Sequence, residues 1–164
     1  RLLDGFTDVI VVDSEAVKSK LIKAGQKAQK ICVIYNGIDK KEIKAIQGVK
    51  FVRGDFLDKK LKLIAVEYFK SNIDVILSDM APNTTGNKSV DCIRTNELCL
   101  AILNFSKKIL SKDGVVISKF FMGEDFEEIR TTAKKYFKKI DFFKPNSSRN
   151  ESRETYIHCS RLST

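Results

Sequence analysis

At 164 residues, with 43% apolar and 31% charged side chains, the chain can bury a sizeable core, and its composition is ordinary for a soluble globular protein. A net charge of +9, from 30 Lys and Arg against 21 Asp and Glu, favours a polyanionic partner, nucleic acid first, although a Lys-rich composition also serves simply to solvate helix faces. No membrane-length apolar run or signal peptide is read, and the scattered Cys32, Cys92, Cys99 and Cys159 form neither a C-x-x-C metal pattern nor a disulfide framework, so a reducing, cytoplasmic protein without metal or membrane is expected.

In chain order, residues 8–12 read as a short buried strand, because β-branched residues follow one another without polar alternation. Asp13 or Ser14 then caps a helix with Val17, Leu21 and Ala24 on one face, stopped by Gly25. Residues 31–35 form a second strand ending at Asn36-Gly37, with Asp39 just beyond it. Phe51-Val52 is a third, closed by Gly54-Asp55, and the next helix carries Leu57, Leu61, Ile64, Ala65, Tyr68 and Phe69 at helical spacing. Residues 75–78 make the fourth strand, whose apolar run ends in Asp79, and a proline-containing loop follows from Ala81 to Val90.

A long helix from near Asp91 is expected to pack through Leu98, Ile102, Phe105 and Ile109, with Cys92 and Cys99 also in the core. Asp113-Gly114 reads as the turn into a strand over 115–120, with Phe120-Phe121 packing beneath a site. Phe126, Ile129, Ala133 and Tyr136 mark another amphipathic helix, and Phe137 is read with Tyr136 on its core face. Residues 138–143 are expected as a strand, 144–153 as a polar loop and 155–159 as a last strand, with His158 packed or edge-exposed. The Asn-x-Ser/Thr triplets at Asn83, Asn146 and Asn150 read as chance matches, since glycosylation needs a secretory route.

Strands alternate with helices and no repeat or linker interrupts them, which predicts one α/β domain over 1–164 built on a doubly wound, mainly parallel sheet. The last two strands lack a helix between them and are expected to pair antiparallel at one edge. In such a sheet ligands gather outside the carboxyl ends of the strands. Asp39, Asp55, Asp79 and Lys119 each fall at or just beyond such an end. Acids there suit the hydroxyl and amine groups of a bound nucleoside, as the ribose-binding acid of dinucleotide folds does. Lys119, between Ser118 and two phenylalanines, is either a structural ion-pair partner or a group that orients and activates a hydroxyl.

Several segments carry a family resemblance. Gly48-Val49-Lys50-Phe51-Val52-Arg53-Gly54-Asp55-Phe56, Ser78-Asp79-Met80-Ala81-Pro82-Asn83, Ser118-Lys119-Phe120, Lys144-Pro145-Asn146-Ser147-Ser148-Arg149 and Ser152-Arg153-Glu154-Thr155-Tyr156-Ile157 resemble, in order and spacing, the FtsJ-like ribose 2′-O-methyltransferases. The resemblance covers about residues 39–164 and implies a Rossmann-like methyltransferase fold with S-adenosylmethionine as cofactor. It further implies a monomer acting on ribosomal RNA or the large ribosomal subunit. Asp79, Lys119 and Glu154 would then belong to the family's Lys-Asp-Lys-Glu tetrad, whose first lysine is expected upstream of Arg1. Asp39, Asp55 and Asp79 would hold the cofactor, and Lys144, Arg149 and Arg153 would meet RNA phosphates.

Residues 1–38 depart from this pattern. The turn after the first strand, Val12-Asp13-Ser14-Glu15-Ala16, has no glycine where a methyltransferase brings backbone close to its cofactor. Residues 8–39 resemble instead a segment of family-4 glycosyltransferases, which carries no complete active site. An RNA-binding module with an incomplete cofactor loop therefore stands as the alternative to an active methyltransferase.

Overall fold

The computed structural model describes residues 8–12, 30–35, 49–70, 72–145, 148 and 151–163. Its strands are β1 (Asp8–Val12), β2 (Lys30–Tyr35), β3 (Val49–Arg53), β4 (Ile73–Ser78), β5 (Leu110–Phe121), β6 (Phe137–Phe143) and β7 (Glu154–Leu162). Three helices lie among the described residues: α1 (Lys59–Phe69), α2 (Lys88–Ile109) and α3 (Phe126–Tyr136). The strands form one seven-stranded sheet in the order β3-β2-β1-β4-β5-β7-β6. β3, β2, β1, β4 and β5 run parallel, while β7 is antiparallel to both β5 and β6. The α/β sheet is thus of the Rossmann-like methyltransferase kind. The reversed strand is not itself the edge, however: β7 slots between β5 and β6, and β6 takes the edge. Strand order reverses between β1 and β4, the switch point outside which such sheets bind ligands.

Local chemistry explains the elements. Asp58 caps α1 by accepting from the Lys60 N–H at 2.8 Å, and Leu61, Ala65 and Phe69 form its buried stripe. Ile64 and Leu57, expected on that stripe, are 41% and 47% exposed: Leu57 precedes the helix, and Ile64 lies on its flank, one position off the i, i+4, i+8 row. The second helix starts three residues before the expected Asp91, because the Asn87 side chain accepts from the N–H groups of Ser89 and Val90 at 3.0 and 3.3 Å. Asp91 then sits in its first turn, and Lys107 and Lys108 in its last, each matching the helix dipole.

The turn expected at Asp113-Gly114 is absent, since α2 runs directly into a twelve-residue β5 that contains both residues. Gly114 serves there a different need: a Cβ on it would lie 3.0 Å from the Asp74 carbonyl and 2.6 Å from Leu110 Cγ. This crowding accompanies a shift of register between Ile73 and Val75 where β4 meets β5. Phe137 opens β6 rather than continuing α3, while Tyr136, half-buried, donates its hydroxyl to Asn104 Oδ1 at 2.9 Å. The last strand is longer than residues 155–159 and begins at Glu154. The expected helix over 13–25, and the residues around Asn36-Gly37, lie outside the described residues. Leu98, Cys99, Ile102, Leu103 and Ile109 of α2 join Ile76, Val116, Phe120, Ile157 and Cys159 of the sheet in one core. All four cysteines are free and buried. Among the described residues no helix is long and apolar enough to cross a membrane.

Candidate active site

The site is built by three strand ends. Asp79 is the first residue past β4, Lys119 lies near the end of β5, and Glu154 opens β7. In the β5–β7 ladder Lys119 stands opposite Tyr156 and Phe121 opposite Glu154, so the alternation of β7 turns Glu154 and Tyr156 to the same side. Lys119 is 8% exposed, flanked by fully buried Ser118 and Phe120. Its ammonium lies 3.0 Å from Asp79 Oδ1 and 3.8 Å from Glu154 Oε1. A buried lysine needs such partners, because an unpaired charge there would cost several kcal/mol. Both carboxylates keep access to solvent, their side chains being 30% and 43% exposed, so this is a charged centre open on one side.

Tyr156 completes it. Its hydroxyl donates to Asp79 Oδ1 at 2.7 Å, the same oxygen that Lys119 approaches. Burial, then that hydrogen bond, then the negative charges of Asp79 and Glu154 hold the phenol well above its ordinary range, so it remains a donor at neutral pH. Sequence reasoning gave Tyr156 no role. The available signal was its place two residues after Glu154 in a strand, hence on one face with it.

A second missed residue anchors the strand. Asn96 of α2, 1% exposed, donates through Nδ2 to the Phe121 carbonyl at 3.1 Å and accepts the Phe121 N–H on Oδ1 at 2.9 Å. This two-point grip fixes the end of β5 two residues beyond Lys119. Its sign in the sequence was an amide inside an otherwise apolar helical stripe, where a buried polar group must find partners. The Met122 N–H donates to the Arg153 carbonyl at 3.0 Å and carries the β5–β7 contact one step further. The loop after Asp79 is tied back by Asp91, whose Oδ1 accepts from the Thr85 N–H at 2.7 Å and the Thr85 hydroxyl at 2.8 Å. The Thr85 N–H, ahead of the hydroxyl bond, holds the Asp91 carboxyl below its usual range.

The other expected residues fall elsewhere. Asp55 lies in a separate cavity of about 550 Å³, lined also by Arg53, Gly54, Leu57, Pro82 and Asn83. Its Oδ1 accepts from the Leu57 N–H at 2.8 Å, and Gly54 before it has φ +154°, where a Cβ would strike Leu61 Cδ1 at 2.6 Å. Glycine is therefore required for the turn that presents Asp55. This cavity reaches the charged centre through the chain itself, since Ala81, Pro82 and Asn83 follow Asp79 by two to four residues. Lys144 and Arg153 line another cavity, of about 990 Å³, and Lys144 Nζ donates to the Ser152 carbonyl at 2.8 Å. Arg153 also lines a recess of about 590 Å³ that contains Glu154. Asp39 and Arg149, and residues 13–16 of the glycine-free turn, lie outside the described residues. His158 Nδ1 sits 3.7 Å from Asp141 Oδ2 and takes no part in the centre.

Comparison with known proteins identifies the family. The sequence model of the FtsJ-like methyltransferases matches residues 5–162 and so runs through residues 8–39, leaving their resemblance to glycosyltransferases without support. The chain is 46% identical over 125 residues to the ribosomal RNA large subunit methyltransferase E of Pelagibacter ubique, covering 76% of this chain and 62% of that protein. It is 40% identical over 141 residues to the protein of that name from Rickettsia akari, covering 86% of this chain and 61% of the relative. The chain thus spans about three fifths of the length of these curated relatives. A ribosomal RNA methyltransferase structure from Plasmodium falciparum superposes with a TM-score of 0.77 at 25% identity, covering 95% of this chain and 86% of that one. Human methyltransferase-like protein 13, solved with SAH, shares the fold at a TM-score of 0.68 and 17% identity, over 99% of this chain and 78% of its own. The chain belongs to the FtsJ-like methyltransferase family.

Proposed function

We propose that the chain carries a methyltransferase domain that moves a methyl group from S-adenosylmethionine to a ribose 2′-hydroxyl of large-subunit ribosomal RNA. The observation that carries the reading is the buried Lys119 ammonium held between Asp79 and Glu154 at 3.0 and 3.8 Å. A ribose hydroxyl is a poor nucleophile, so its transfer reaction needs alignment and a route for its proton. When bound, S-adenosylmethionine supplies a methyl on a cationic sulfur: the O–CH₃ bond forms as the S–CH₃ bond breaks, and the sulfur departs as a neutral thioether. Lys119 donates a hydrogen bond to the incoming oxygen and stabilises its developing negative charge. Asp79, already engaged by Lys119 and Tyr156, holds the lysine in place. Glu154, at the longer distance and the more exposed, takes the hydroxyl proton and passes it to water.

The cavity beside Asp55 fits an adenosyl group. Leu57 and Pro82 offer apolar walls to a base, and the Asp55 carboxylate keeps an oxygen for its exocyclic amine. Asp39 would serve the ribose or methionine part. Lys144, Arg149 and Arg153 would meet RNA phosphates, contacts that position a substrate without reading its sequence. We take the working form to be a cytoplasmic monomer.

Lys119→Ala, assayed with labelled S-adenosylmethionine on undermethylated large subunits, should lose about 10²–10⁴-fold in rate. Full methyl transfer by that variant would sink the mechanism. The glycine-free turn Val12–Ala16 favours a second reading, an RNA-binding module without turnover. Calorimetric titration with S-adenosylmethionine separates the two, since clear micromolar binding rejects the inactive module.

A further inference from the structure

The largest cavity described, about 990 Å³, lies between the β6–β7 edge, the first turns of α2 and the segment after β5. The mechanism above uses none of its apolar lining. Ile93, Met122 and Phe143 face it while 49%, 44% and 42% exposed. Three large apolar side chains left open around one recess mark a binding surface rather than scattered surface residues. Phe143 is held in place: its ring stacks on Tyr156, with centroids 5.7 Å apart and planes 20° off parallel, while the Tyr156 hydroxyl is bonded to Asp79. An aromatic face is therefore coupled by one side chain to the carboxylate that pairs Lys119.

Both signs of charge line the recess. Arg153, exposed and without an ion-pair partner among the described residues, lies with Lys144 on the side toward Glu154. Glu124 and Asp125 line the same cavity. Ser152 and Arg153 line both this cavity and the recess that contains Glu154, so the two adjoin. A polyanion entering from Glu154 would meet cations at Arg153 and Lys144 and an apolar, aromatic surface, while Glu124 and Asp125 repel a phosphate but accept from a base amine. Single-stranded RNA is bound in this pattern, by phosphate contacts flanking unstacked bases laid on aromatic faces.

We propose that this cavity receives an unstacked nucleobase next to the nucleotide whose ribose lies at Lys119, with Phe143 as its stacking face. The inference rests on the RNA-methyltransferase reading and adds that the RNA is single-stranded and splayed beside its target. It makes Phe143, Met122 and Ile93 substrate contacts that lie away from the reacting atoms.

The test uses the full chain and a labelled single-stranded ribosomal RNA fragment, with binding read by anisotropy. Phe143→Ala should weaken binding about five- to a hundred-fold, and Phe143→Tyr should restore it to within a few-fold. Ile93→Glu, on an exposed helix position that does not threaten folding, should weaken it at least fivefold. Inorganic polyphosphate, which has charge but no bases, should bind wild type and Phe143→Ala equally. Wild-type affinity in both Phe143→Ala and Ile93→Glu would overturn the pocket while leaving the methyltransferase reading intact. So would equal losses for RNA and polyphosphate. Failure of the wild type to bind any RNA would overturn the underlying reading and the pocket with it.

Discussion

The charged centre and the Asp55 cavity are built in opposite ways. At the centre, side chains remote in sequence answer one another: Tyr156 reaches Asp79 across 77 positions, Lys119 bridges two strands, and Asn96 grips β5 from a helix. At the cavity, contacts are local: Asp55 bonds the N–H two residues on, and Asp58 does the same as it caps α1. The first arrangement exists only in the finished sheet, whereas the Asp55 carboxylate is set by a turn and a helix start, and Ala81, Pro82 and Asn83 with Arg94, Glu97 and Leu98 of α2 close the cavity around it. Substitutions at the centre should therefore couple stability with rate, and those at the cavity should touch ligand affinity alone.

The sharpest way to break this contrast is at Asn96, which makes no contact with the reacting groups. Asn96→Ala takes the acceptor from the Phe121 N–H and leaves the Phe121 carbonyl only the weak Cys92 thiol donor at 3.6 Å, and should cost about 1–3 kcal/mol in urea unfolding. It should also lower kcat, because the strand end beside Lys119 loosens. A variant of wild-type stability would show that the centre is not globally coupled.

Alkaline pH probes the sheet on both sides of its switch point. Burial pushes the Cys99 thiol, under β5, up to about 12 and the Cys32 thiol, in β2, up to about 11, from 9.0. Above pH 9.0 the unfolded chain releases thiol protons that the folded chain keeps. The unfolded state then binds fewer protons, and stability falls as pH rises, by about 1.4 kcal/mol per pH unit for each thiol until its folded value is reached. Unfolding midpoints at about pH 8 and pH 10 should separate, and less widely in Cys99→Ala or Cys32→Ala. Equal slopes in all three proteins would remove the thiols from the account.

Tyr156→Phe takes one hydrogen bond from Asp79 and should reduce kcat about tenfold, near 1.4 kcal/mol of barrier, with KM for the cofactor unchanged. A rise in KM alone would move Tyr156 from the centre to the binding side. The smallest effect is expected at Asp55→Asn, which keeps an acceptor for the Leu57 N–H. Stability should stay within about 0.5 kcal/mol of wild type, while S-adenosylmethionine binding weakens severalfold in calorimetry. Loss of stability instead would erase the difference between the two regions.

The sheet was legible because its strands are β-branched runs and its helices keep their period: β1 coincides with residues 8–12, and Leu98, Ile102, Phe105 and Ile109 are all buried. Asp79 and Lys119 were legible as polar residues at the ends of apolar runs. What stayed hidden depended on pairing. Gly114 resembles a turn residue until the Asp74 carbonyl beside it is known. Neither Tyr156 nor Asn96 declares its partner, since each lies in another element far away in the chain. Phe143 carried no signal either, as its ring acquires a neighbour only when β6 pairs with β7.

That pairing has a consequence for how the protein can vary. Glu154 and Tyr156 share a face by the alternation of β7, and that face meets Lys119 only because β7 keeps step with β5. Removing a single residue inside β7, between Tyr156 and Cys159, would put its two ends out of phase: one end would keep the polar face while the other turned its packed side to water. Insertions ahead of Glu154 leave that phase untouched. The centre should accordingly tolerate change in length before the strand and almost none within it, an all-or-nothing sensitivity that belongs to the ladder and not to any one catalytic side chain.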